Sequence, residues 1–157
     1  MSASAGRTDT ASRVIRASPQ VIYRALLDPK AVVRWRPPSG MKAHVYAFDA
    51  REGGAFRMSF AYTEANHETR GKTSADEDVF EGRFLELVPD QRVVELIEFQ
   101  SDDPTFAGAM TVTTSLCAVN GGTEVTIRCD NVPEGIRPED HDAGMASTLE
   151  NLAAYTE

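Results

Sequence analysis

Over residues 8–17 apolar and polar positions alternate: Ala11, Arg13, Ile15 and Ala17 share one side, and Ser12, Val14 and Arg16 the other. That period of two predicts a strand with one buried face. Ser18-Pro19 then supplies an N-cap followed by proline at the first helical position, where a missing N–H is harmless. Val21, Ile22, Ala25 and Leu26 recur at helical spacing, which predicts an amphipathic helix over Pro19–Leu27. Asp28-Pro29 repeats the cap-and-proline signal and opens a second short helix, which Pro37-Pro38 must end.

From residue 43 to residue 129 the pattern is one of strands and turns. A strand over 43–50 leads through Glu52-Gly53-Gly54 into one over 55–63, where Phe56, Met58, Phe60 and Tyr62 line up on one face. The polar stretch 64–78 is too long for a tight turn and is expected to be a mobile loop at the rim of the domain. Strands over 79–88 and 92–100 flank Pro89-Asp90, and Ser101-Asp102-Asp103-Pro104 breaks the chain again. Strands over 109–119 and 123–129 flank Asn120-Gly121-Gly122, the strongest hairpin signal in the chain. Short connections make successive strands antiparallel neighbours, about seven in all. Helical spacing returns after Pro138, where Met145, Leu149 and Leu152 fall at i, i+4 and i+7 with Ala146 and Ala153 beside them. The apolar stripe of that helix, over 138–156, needs a partner, and the sheet is the only large surface available. The expected class is α+β.

Composition adds limits. The chain has 157 residues, 41% hydrophobic and 25% charged, which suits one domain over 8–157 behind a flexible lead-in at 1–7. Neither a secretory signal nor a run long enough to span a membrane is present. Two cysteines do not make a disulfide framework, so a cytoplasmic setting is expected. The net charge is −8, which argues against a nucleic-acid partner, since such binders neutralise phosphates with a basic face. The charge is uneven. Residues 1–36 carry seven arginines and lysines against Asp9 and Asp28, whereas residues 131–157 carry Arg137 against six acids. Those ends would attract each other if they pack together, although exposed pairs contribute little.

The order strand, two short helices, six strands, long helix resembles the START-like helix-grip fold. Residues 14–29 look like the opening of members related to the C-terminal domain of the activator of Hsp90 ATPase. Trp35 with Pro37-Pro38, the double-glycine hairpin at 49–57, and the strand-turn-strand at 84–93 are similar to the same family. So is the closing helix from His141 through Met145, Leu149 and Leu152 to Tyr155, although the family usually has tryptophan where Met145 stands. The resemblance implies a bent antiparallel sheet gripping a long C-terminal helix, often with an apolar cavity between them. It implies binding of a small hydrophobic molecule, lipid-like, aromatic or polyketide-like. An enzyme of cyclase, dehydratase or hydrolase type would use the same pocket, and a buried ionisable pair there would favour it. A third reading is a protein-interaction (co-chaperone) role resembling the Hsp90 activator's C-terminal domain. The separate N-terminal domain of the full-length activator is not in this sequence, which weakens that reading, and an Hsp90-type chaperone is not expected as partner. An exposed sheet edge leaves a homodimer open.

The residues expected to line the cavity are Trp35, Phe56, Met58, Phe60, Tyr62, Met110, Met145 and Leu149, with Trp35 at its entrance. Glu81, Arg83, Glu95 and Thr113 are polar groups that could enter the same space, with Glu81 and Arg83 better read as a weak solvated pair. No catalytic residue, metal or cofactor is assigned. His44, His67 and His141 have no evident acidic partner, since His141 and Asp142 are neighbours on a helix and point apart. The cysteines and histidines are too scattered for a structural zinc site. With Gly121-Gly122 as a two-residue loop, Asn120 pairs with Thr123, Cys117 faces Thr126 and Cys129 faces Thr114. That separation prevents a disulfide, so both cysteines are expected to be reduced and buried.

Overall fold

A computed structural model of the chain describes residues 6–63 and 77–157. The elements run β1 (Arg7–Ile15), α1 (Pro19–Leu27), α2 (Pro29–Trp35), β2 (Met41–Phe48), β3 (Ala55–Tyr62), β4 (Glu77–Val88), β5 (Arg92–Gln100), β6 (Ala109–Val119), β7 (Gly122–Val132) and α3 (Pro138–Thr156), with a 3-10 turn at Pro104–Phe106. The caps behave as their chemistry requires. Ser18 accepts from the Val21 N–H, and Asp28 accepts from the Lys30 N–H at 2.9 Å. The loop expected at 64–78 falls, over 64–76, outside the described residues; Glu77 and Asp78 already belong to β4.

The seven strands form one antiparallel sheet in the order β1-β7-β6-β5-β4-β3-β2. Although β1 and β2 are consecutive in sequence, they lie at opposite edges, and α1 and α2 span the distance between them. Register shifts in β7 opposite β1, in β2 and in β4 mark bulges, which bend strands and deepen a sheet's twist. α3 packs against β1, α1 and α2, so one face of the curved sheet is closed by helices. This is the helix-grip fold.

The β6–β7 hairpin departs from the expected register. Val119 pairs with Gly122, so the loop is Asn120-Gly121 and Cys117 faces Glu124 while Cys129 faces Val112. Only Gly121, at φ 89°, serves the turn. A Cβ on Gly122 would lie 2.1 Å from the Ile15 carbonyl oxygen. The second glycine therefore answers to close packing against β1 rather than to the loop. The cysteines remain apart and unbonded, but Cys117 is exposed, contrary to expectation, because it sits on the outer face of β6.

The core is continuous from Ile15 and Ile22 through Val32, Met58, Phe56 and Phe84 to Val125, Leu149 and Leu152. Full burial of each such side chain contributes roughly 1.5–3 kcal/mol before chain entropy is counted. Phe56 packs at a tilt against Phe84 and Phe48, with ring centroids 5.0 and 6.3 Å away. Its partner across the β3–β4 pair is Gly82, and a Cβ there would fall 2.3 Å from the Phe56 Cζ.

Candidate functional site

Period two on β5 puts Val93, Glu95, Ile97 and Phe99 on one face, so the strand inserts a carboxylate into an otherwise apolar row. The same parity on β6 turns Met110, Val112 and Thr114 inward, and on β4 Asp78 and Phe80. These faces, with Phe60 and Tyr62 from β3 and Cys129 from β7, form the floor of a cavity of about 540 Å³. Its roof comes from Leu26, Trp35, Arg36 and the first turns of α3, including His141, Gly144 and Met145.

Five of the residues singled out from the sequence meet here: Trp35, Phe60, Tyr62, Met110 and Met145. Trp35 is only 5% exposed, and its indole N–H donates to the Ala25 carbonyl at 2.8 Å, which fixes it as wall. Phe56, Met58 and Leu149 are not on the lining; they are fully packed in the core beside it. Among the polar groups, Glu95 enters the cavity and Thr113 does not, because residues 110 and 113 of one strand face opposite sides. Glu81 and Arg83 point outward, opposite in parity to buried Phe80 and Phe84, and Glu81 meets the exposed Arg57 at 3.3 Å.

The dominant polar feature is Arg36 against Glu95. The Arg36 Nη1 donates to Glu95 Oε2 at 2.8 Å, with the two side chains 12% and 5% exposed. The guanidinium also lies 5.7 Å from the Phe56 ring centre and 5.8 Å from that of Phe80, within cation–π range. Helix termination sets its position. Arg36 caps α2 through its own N–H to the Val32 carbonyl, just before Pro37-Pro38. Thr148 and Asn151 of α3 then donate to the carbonyls of Arg36 and Pro37, both at 3.0 Å. The pairing crosses 59 residues. The one local signal was Glu95 on an apolar face.

A second polar pair reaches the cavity through His141 alone. His141 Nδ1 is 2.7 Å from Asp9 Oδ2, and Arg7 holds the same carboxylate through Nε and Nη2. The Arg7 guanidinium first, and His141 after it, keep the Asp9 carboxyl below its usual range while burial opposes them. The acid that orients His141 is therefore on β1, not the adjacent Asp142. Burial, reinforced by Asp78 and Asp140, raises Tyr62 above the ordinary phenol value. Burial likewise pushes the Cys129 thiol up to about 12, against a smaller lowering from Arg36. Among the described residues no group of histidines, cysteines and carboxylates could hold a metal ion, and no helix is long and apolar enough to cross a membrane.

An α+β helix-grip domain with a largely apolar cavity between sheet and helices is the class that fold and site define. The chain belongs to the family described as activator of Hsp90 ATPase homolog 1-like protein, whose pattern matches residues 16–157. The crystal structure of protein CV1439 from Chromobacterium violaceum is 35% identical, covers 96% of each chain and superposes with a TM-score of 0.84. An AHSA1-like protein from Aeromonas hydrophila, at 19% identity, shares the fold with a TM-score of 0.70 over 95% of this chain and 91% of that one. Protein Ms6760 from Mycobacterium smegmatis, at 16% identity, does so at 0.72 over 96% and 90%. No curated protein matches the chain.

Proposed function

We propose that the protein binds a small hydrophobic molecule, lipid-like, aromatic or polyketide-like, between the sheet and α3. The carrying observation is the cavity itself. Its volume of about 540 Å³ falls in the range of small-molecule sites, and its walls are apolar with a few convergent polar groups. Members of this fold class commonly accommodate hydrophobic ligands, which agrees with the reading. A core built only for stability would be filled to crystal-like density. The test is mass-spectrometric analysis of molecules that co-purify with the protein, together with titration of the neutral fluorophore N-phenyl-1-naphthylamine. One saturable site per chain is expected, and absence of saturable binding would overturn the proposal.

A second reading, an enzyme acting in the same cavity, draws on the buried Arg36–Glu95 pair, the feature expected to favour an enzyme, and on Asp9 with His141. A carboxylate that fixes one imidazole nitrogen is the usual arrangement for a histidine that moves protons at the other. The two readings separate on His141→Gln. In an enzyme that variant binds ligand and no longer converts it; in a carrier the ligand leaves both proteins unchanged.

A further inference from the structure

We infer that the molecule held in the cavity carries an uncharged head in which a hydrogen-bond acceptor stands beside a donor, docked against Arg36 and Glu95. A primary carboxamide or a hydroxyl next to a carbonyl has this chemistry. The inference rests on the proposed binding role of the cavity and specifies what the cavity selects.

The first argument is the cost of the pair. Two charges 12% and 5% exposed lie among Phe56, Phe80 and Val93. Burying them sacrifices hydration that their mutual attraction barely restores, and apolar side chains of similar volume would serve stability as well or better. A role in recognition accounts for their presence where a role in stability does not.

The second argument is hydrogen-bond capacity. A guanidinium has five N–H donors, and a carboxylate accepts at both oxygens. Among the described residues Arg36 donates to Glu95 Oε2 through Nη1, and its side chain makes no other protein hydrogen bond; Glu95 Oε1 accepts from no protein group. Both side chains line the cavity. The pair therefore presents donors and an acceptor next to each other on an apolar wall. A carbonyl accepting from the guanidinium, beside an N–H or O–H donating to Oε1, completes both.

The third argument is charge. Arg36 and Glu95 cancel, so a carboxylate head would meet Glu95 and an ammonium head would meet Arg36, each at short range in a medium that screens poorly. A neutral dipolar head suffers neither repulsion.

The experiment is displacement of bound N-phenyl-1-naphthylamine by three chains of similar length: decanamide, 2-undecanone and decanoate. In the native protein at about pH 7.5, where decanoate is ionised, decanamide should displace the probe at about tenfold lower concentration than 2-undecanone, which lacks the donor. Decanoate should be weaker than decanamide. In the paired variant Arg36→Leu with Glu95→Leu the amide should fall behind the ketone, because leucines at both positions leave its N–H groups unsatisfied where the head docks. In Glu95→Gln, which leaves an uncompensated guanidinium, decanoate should become the best of the three. Equal displacement by amide and ketone in the native protein would overturn the inference and leave the cavity's binding role standing. So would an amide preference that survives in the paired variant, or a Glu95→Gln variant that still disfavours decanoate. A probe that never binds the native protein overturns both.

Discussion

His141 Nδ1 and Asp9 Oδ2 are 2.7 Å apart, a bond that ties the first turn of α3 to β1 across 132 residues of sequence. Asp9 also accepts two N–H groups from Arg7, at 3.0 and 2.9 Å. Its side chain is 13% exposed, so water can replace little of what these partners supply. The basic first strand and the acidic last helix thus meet through a specific cluster and not through a diffuse attraction.

The lowered carboxyl pKa of Asp9 fixes the sign of its pH dependence. A group easier to ionise in the folded state contributes stability above its ordinary value of 3.8, and that contribution disappears as pH falls through the lowered folded value. Asp9→Asn should therefore cost about 1.5–3 kcal/mol near neutral pH. The gap from the native protein should narrow below about pH 4 as the native carboxylate takes up its proton. Urea unfolding at a series of pH values measures it. A gap independent of pH would show that the charge of Asp9 contributes nothing.

Gly82 should not tolerate a side chain. A Cβ there would lie 2.3 Å from Phe56 Cζ and 2.6 Å from the Leu96 carbonyl oxygen. The ring is packed against Phe84, and the oxygen belongs to the neighbouring strand, so neither can yield freely. Gly82→Ala should cost about 1–3 kcal/mol, the usual range for overpacking. Phe56→Leu in the same chain should recover part of it, and thermal unfolding of the single and double variants reads the coupling.

The elements that could be read in the sequence are those with local causes. Ser18 and Asp28 cap the two short helices through bonds three and two residues away, and the inward face of β3 follows from alternation alone. The β6–β7 register was misread because adjacent glycines look equivalent in sequence. Gly121 supplies the positive φ, whereas Gly122 is small to admit Ile15, a contact set by the β1–β7 pairing. Among the cavity residues, Phe60 and Tyr62 were accessible from strand parity and Met145 from helical spacing. Arg36 with Glu95 and Asp9 with His141 were not, since each pair joins elements brought together by the order of strands in the sheet. No local pattern announces such a pair. The nearest hint was a glutamate, Glu95, in step with Val93 and Ile97.

The two cysteines should differ sharply in reactivity. Cys129 is 3% exposed, and its thiol is pushed up to about 12 by burial, so at pH 8 it holds almost no thiolate, the reactive form. Cys117 is exposed on the outer face of β6. A disulfide reagent should label one thiol per native chain promptly and the second only in denaturant. Prompt release of two equivalents from the folded protein would contradict this placement of β7.

Phe56 and Phe60 are two residues apart on one face of β3, yet they should answer substitution differently. Phe56 is 1% exposed and wedged between Phe48 and Phe84; Phe60 is part-buried, meets Phe80 edge-on at 5.0 Å, and lines the cavity. Phe56→Ala removes a ring whose surroundings cannot collapse, and should cost about 3–5 kcal/mol. Phe60→Ala opens onto space that already exists, so its cost should be well below that of Phe56→Ala. If the cavity binds N-phenyl-1-naphthylamine, affinity should track the lining residue and not the core residue. Phe60→Asp should abolish it by placing a charge against an apolar ligand, whereas Phe56→Leu should leave it within about threefold of native at a temperature where both proteins are folded. The measurement is a fluorescence titration beside an unfolding curve for each variant. Probe affinity that falls in proportion to lost stability, whichever phenylalanine is changed, would mean that the probe reports loosening of the core and not occupancy of the cavity.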